Sequence, residues 1–172
     1  MNPSPSADDV NLDFQKAVEH YQGNRFVEAA ALLDRLAPHC GGRADYFRLR
    51  GHIAMRNRDA AAAFTALQRA AELAPRTALH QFELGEHYRV TGKPGEAIRL
   101  YRQALALEPG AAIVRITLAG TLALTGNVRA ALGEVDQAVA GAGDNLQALL
   151  AAALAYRDLK QVDAAIRTLR AG

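Results

Sequence analysis

Small and large apolar residues recur along this chain at intervals of 34 positions. Stepping by that interval from Ala17 reaches Gly51, Gly85, Ala119 and Ala153, a column made only of glycine and alanine. A second column runs Ala29, Ala63, Ala97, Ala131, Ala165, and seven residues further on a third runs Leu36, Ala70, Ala104, Ala138. A fourth collects larger groups at Leu33, Leu67, Tyr101, Val135 and Leu169, and no insertion or deletion is needed to align the copies. Turns at residues 91–94 and 125–127 interrupt the helices, and Pro75 and Pro109 prevent the segments before them from continuing. An alanine-rich chain yields some matches by chance, so the bulky and turn columns carry more weight than the alanines.

Repeat three is the clearest copy, with Leu84, Gly85, Tyr88, Gly92, Ala97, Tyr101, Ala104 and Pro109. Repeat two keeps Gly51, Ala63, Ala70 and Pro75, and repeat four keeps Leu118, Ala119, Gly126, Ala131 and Ala138. These residues at these spacings resemble the tetratricopeptide repeat family. The resemblance implies an all-α fold, an α-solenoid of antiparallel helix hairpins wound as a right-handed superhelix, with ten helices. Small columns would then mark close helix contacts, and large columns would fill the space to the next hairpin. The expected organisation is a flexible segment over 1–9 and an array over 10–172, with repeats at 10–43, 44–77, 78–111, 112–145 and an incomplete 146–172. Repeat one is atypical, with Lys16 in the column of Leu84 and Leu118. The last hairpin lacks a polar capping helix, so Ile166 and Leu169 are expected to be partly exposed.

Composition narrows the function classes. Tryptophan is absent and half of the 172 residues are apolar, which suits alanine-rich helices better than a β-sandwich. Twenty basic and eighteen acidic residues leave a formal charge of +2, so neither nucleic acid nor an anionic membrane is the expected partner. The single cysteine, Cys40, forms no intrachain disulfide and fits a reducing compartment. The N-terminus lacks a basic start followed by an apolar core, and a cytoplasmic location is expected.

In the family, the first helix of each repeat lines a concave groove. Carried onto this chain, that geometry implies a surface of Phe14, Val18 and Tyr21, then Arg48, His52, Met55 and Arg56, then Phe82, Glu86 and Arg89. Repeats four and five add Ile116, Ala123, Leu150, Leu154 and Arg157. Such a face suits a peptide or partner helix that sets a carboxylate near Arg48, Arg56 and Arg89 and apolar groups over Ile116 and Leu154. The competing expectation is that the arginines are solvated or paired with Asp45, Glu83 and Glu86. The positions that grip chaperone tails in one subgroup carry Phe14 and Val18, Arg48 and His52, or Phe82 and Glu86 here, so no clamp of that kind is expected.

Three other patterns invite chemistry. His80, Glu83 and His87 are spaced for one helix stripe, which suggests a metal, but the spacing lacks the HExxH form and a solvated helix face explains it. His39 and Cys40 are adjacent in a junction with no third residue to orient the imidazole, which argues against an activated thiol. Five arginines between Arg43 and Arg58 form no glycine-rich phosphate loop, and the equivalent positions Arg48, Phe82, Ile116 and Leu150 form no base-reading code.

The expected function is therefore a protein-interaction module without catalysis, cofactor or metal. Two alternatives are the recognition region of a larger bacterial transferase, which similar arrays precede, and a scaffold that self-associates through its last hairpin. If the small columns are close contacts, Ala97→Trp destabilises the fold by about 1–3 kcal/mol or more, as overpacking does, measured by urea unfolding.

Overall fold

The structure, a computed structural model, describes residues 6–171. The described residues are all-α, with ten α-helices, one 3₁₀ turn at Ala37–His39 and no strand. The helices are α1 Ala7–Gln22, α2 Phe26–Leu36, α3 Ala44–Arg56, α4 Ala60–Leu73, α5 Ala78–Val90, α6 Pro94–Leu107, α7 Ala112–Leu124, α8 Val128–Ala142, α9 Leu146–Asp158 and α10 Val162–Ala171. They pair as five consecutive hairpins, and contacts group them into two compact units divided between Pro75 and Arg76. The first unit holds α1–α4 and the second α5–α10.

Of the segment 1–9 expected to be flexible, residues 1–5 lie outside the described residues, and helix α1 already begins at Ala7. Its start is set by a capping box: the Ser6 hydroxyl accepts the Asp9 N–H at 3.2 Å, and the Asp9 carboxylate accepts the Ser6 N–H at 3.0 Å. Helix α1 therefore has 16 residues where α3, α5, α7 and α9 have 13 each.

Within the hairpins, the small column lies under the large one. A Cβ added to Gly51 would come 2.7 Å from Leu67 Cγ, and one added to Gly85 would come 2.7 Å from Tyr101 Cε1. Leu67 and Tyr101 belong to the column expected to fill the space to the next hairpin; they also press on the first helix of their own hairpin, and Tyr101 shares a core with Val114 and Leu118 of the next. The reason is steric: a residue without a side chain lets a ring or branched chain from the second helix reach the backbone. Ala29, Ala63, Ala97 and Ala131 are fully buried, as are Tyr101 and Val135.

The turn that closes each hairpin repeats as strictly. The N–H groups of Arg25, Asp59, Lys93, Asn127 and Gln161 donate to the carbonyls of His20, Ala54, Tyr88, Leu122 and Tyr156 at 2.8–2.9 Å. The preceding residues, Asn24, Arg58, Gly92, Gly126 and Lys160, donate to the carbonyls three positions back at 2.9–3.2 Å. These paired bonds are the Schellman motif, which satisfies the last carbonyls of a helix and requires a left-handed residue at its centre. All five central residues have φ between 59° and 84°. Glycine meets that requirement freely in repeats three and four, whereas Arg58 and Lys160 hold a conformation that costs a side-chain-bearing residue about 1–2 kcal/mol.

In the first unit, Phe14 and Cys40 are buried in a core with Leu33, Tyr46, Leu49 and Ile53. Arg43 locks α1 against α3: its guanidinium lies 4.5 Å from the Phe14 ring centre, pairs with Asp45 at 2.8 Å and donates to Asn11 Oδ1 at 2.6 Å. In the second unit, Tyr101, Leu118, Val135 and Ala152 form the centre of a core shared by the three hairpins. On α10, Ile166 and Leu169 are 42% and 54% exposed.

The turn column yields a paired test. Arg58→Gly raises unfolding stability by about 0.5–1 kcal/mol, and Gly92→Ala lowers it by a similar amount, measured by urea denaturation.

Candidate functional site

Helices α5, α7 and α9, the first helices of the three hairpins in the second unit, share one open groove of about 690 Å³. Part of the lining falls in two columns spaced by 34. One reads Glu86, Gly120, Leu154 and the other Arg89, Ala123, while Arg157, next in the second column, is not among the lining residues. Repeat four contributes the two small residues, so α7 leaves a hollow between the charged edge on α5 and the apolar edge on α9. An added Cβ at Gly120 would meet no heavy atom within 4 Å, so neither a close contact nor a turn requires glycine there. In the interior of α7 that glycine costs about 1 kcal/mol relative to alanine. Ile116, Leu124, Ala151, Ala155 and Leu159 complete the apolar lining, Thr117 and Thr121 add hydroxyls, and Asp158 lies at its α9 end.

The charged groups at the edges are already engaged. Arg89 donates from Nε and Nη2 to the two oxygens of Glu86 at 2.9 and 2.8 Å, and the Tyr101 hydroxyl donates to the same carboxylate. Burial alone pushes the Glu86 carboxyl up, but the hydrogen bonds from Arg89 and Tyr101 and the guanidinium charge outweigh it and hold the carboxyl below its ordinary range. Burial, followed by the bond to Glu86, pushes the Tyr101 hydroxyl well above its usual value. On α9, Arg157 pairs with Asp158 at 2.7 Å.

The residues expected on the groove face divide as follows. Glu86, Arg89, Ile116, Ala123 and Leu154 line the hollow. Leu150 is 49% exposed, Arg157 is exposed, and Phe82 packs its ring 5.7 Å from that of Tyr101. In the first unit, Tyr21 sits 6.0 Å from the His52 ring and 5.5 Å from Phe26, and Arg56 lies over Phe26 at 5.4 Å. Val18 and Arg48 are half-buried there, and Met55 is exposed. Phe14 corrects the expectation: it is 8% exposed, because Arg43 and the first-unit core cover it, and it offers no surface to a ligand.

Sequence reasoning missed Gly120, Thr117, Leu124 and Asp158. The signal for Gly120 was present, since the column of Val18, His52, Glu86 and Leu154 passes through it.

The residues that suggested a metal are not a solvated face. His80 stands in the column of Tyr46, Val114 and Ala148, and His87 in that of Ile53 and Thr121, all of them buried. Among the described residues, no group of three histidine, cysteine, aspartate or glutamate side chains is gathered for a metal ion. Cys40 is fully buried while His39 is exposed, and burial pushes the thiol pKa up, which disfavours the thiolate. The arginines between 43 and 58 are spread over separate contacts: Arg43 on Asp45, Arg50 on Asp34 at 3.2 Å and on the Tyr46 hydroxyl at 2.8 Å, and Arg56 on Phe26. No described helix is long and apolar enough to cross a membrane.

Two models described as Tetratricopeptide repeat match residues 48–112 and 91–152. No curated protein matches the sequence. Among solved structures, a crystal structure of MamA superposes with a TM-score of 0.73 at 16% identity, covering 90% of this chain and 91% of that one. YrrB, described as a TPR protein with an unusual peptide-binding site, superposes with a TM-score of 0.69 at 16% identity over 92% and 82% of the two chains. Nearly identical TPR-like repeats ascribed to a kinesin light chain of Podosopora anserina give a TM-score of 0.74 at 19% identity over 94% and 92%. At these identities the likeness is one of fold.

The buried histidine gives a pH test. Burial, and secondarily the charge of Lys93, lowers the His87 pKa from its ordinary 6.5. Above pH 6.5 both folded and unfolded chains are neutral at this residue; below it the unfolded chain takes up the proton first, so stability falls with pH until the folded state also protonates. Thermal melts on the acid side of 6.5 show this decline, and His87→Gln makes it shallower.

Proposed function

The chain belongs to the tetratricopeptide repeat family, and on that premise we propose that it is a non-catalytic protein-interaction module whose first helices receive a peptide or partner helix. The observation that carries this reading is the open groove along α5, α7 and α9, about 690 Å³ and lined mostly by apolar side chains. Its size falls within the range of about 300–1,000 Å³ usual for binding clefts. Peptides that bury side chains in such a groove hold with micromolar affinity, about −8 kcal/mol.

Self-association is a second reading, favoured by the exposed apolar residues Val162, Ile166 and Leu169 on α10. Light scattering over a wide concentration range separates the two, since only self-association raises the mass with concentration.

Leu154 is 43% exposed at the groove edge, so replacing it leaves the core intact. For peptides selected from a displayed random library against the full chain, Leu154→Glu weakens binding about tenfold or more with an unchanged melting temperature. Their amide chemical-shift changes fall on α5, α7 and α9. Changes confined to α6, α8 and α10 would sink the reading.

A further inference from the structure

The groove differs along its length in what it leaves unsatisfied. At the α5 edge, the Glu86 carboxylate already accepts two bonds from Arg89 and one from Tyr101. At the α9 end, Asp158 pairs with Arg157 at the open surface, their side chains 66% and 63% exposed. The Glu86 carboxylate and the Arg89 guanidinium satisfy each other, so a charged partner group at the α5 edge competes with bonds already made within the chain, whereas the Arg157–Asp158 pair lies in solvent and holds little. Between these edges the polar side chains of the lining are those of Thr117 and Thr121, and the Thr121 hydroxyl already donates to the Thr117 carbonyl. Ile116, Leu124 and Leu154 form its sides, and the floor is Gly120, where a side chain would find open space.

We propose that the hollow over Gly120 is the anchor subsite of this groove and takes one large, uncharged, apolar side chain of a bound peptide, leucine-like or phenylalanine-like, with Gly120 setting its depth. The inference rests on the peptide-binding reading above and adds the chemistry of the partner. Charge complementarity selects this occupant: the charges of the α5 edge neutralise each other and the hollow is walled by Ile116, Leu124 and Leu154, so its match is a neutral, apolar group. A well-packed, desolvated anchor of this kind carries most of the binding energy in a small interface. Gly120 fits the role because its absent side chain serves no turn and no close helix contact, and alanine would make α7 more stable.

The test uses a random dodecapeptide library displayed against the full chain, followed by fluorescence anisotropy of the selected peptides with the wild type, Gly120→Ala and Gly120→Leu. Selected peptides are expected to share a leucine, isoleucine, methionine or phenylalanine at one fixed position. Gly120→Leu fills the hollow and weakens them about tenfold or more, while Gly120→Ala, adding one carbon, weakens them much less. Both variants melt at or above the wild-type temperature, because the added side chains enter open space and relieve a helix-interior glycine. Peptides that shift α5, α7 and α9 amides but carry an acidic or basic consensus overturn the anchor and leave the groove reading standing. Equal affinity for wild type and Gly120→Leu does the same. A library that yields no binder on those helices overturns both.

Discussion

The hairpins α3–α4 and α5–α6 depend on one packing constraint, the seating of a second-helix side chain directly on the backbone of the first helix. Tyr101 on Gly85 and Leu67 on Gly51 leave no room for even a methyl group. That approach fixes the distance between paired helices, which sets how the first helices line up and therefore where a groove opens. It also places the Tyr101 hydroxyl at the Glu86 carboxylate, tying the core of one hairpin to the polar edge of the groove. Core packing and surface electrostatics are thus settled by the same residue.

The scaffold was legible in the sequence because packing demands repeat wherever the geometry repeats. Columns of alanine and glycine could be read without coordinates, and the hairpins follow them. The turn column was harder to read, since Gly92, Gly126 and Asn24 announce a left-handed residue, whereas Arg58 and Lys160 adopt the same conformation without the usual mark. There the hydrogen bonds of the turn override local preference. His80 and His87 misled for a related reason: their type suggests solvent or metal, but their register is that of core residues, and register decided their fate.

The groove was legible in position and only partly in content. Alignment identified Glu86, Arg89, Ile116 and Leu154 because the first-helix columns pass through them. Phe14 follows the same columns yet is buried, because Arg43, a residue at the start of the next hairpin, covers it, and no spacing rule anticipates a side chain folding over from elsewhere. Gly120 escaped notice for the opposite reason, as a hollow is made by what is missing. The pairing of Arg89 with Glu86 follows the competing expectation, and which carboxylate takes a given arginine depends on rotamers and not on residue types.

The turns carry a consequence for how the chain acquires its structure. Each is closed by bonds spanning five residues or fewer, and each joins two helices that are neighbours in sequence. Contacts within a hairpin therefore form without first closing a long loop, and the entropy lost before they are rewarded is small. A chain organised this way has low contact order and is expected to fold quickly, with hairpins assembling as semi-independent modules. Their order of formation would then follow the local stability of each copy more than its place in the chain.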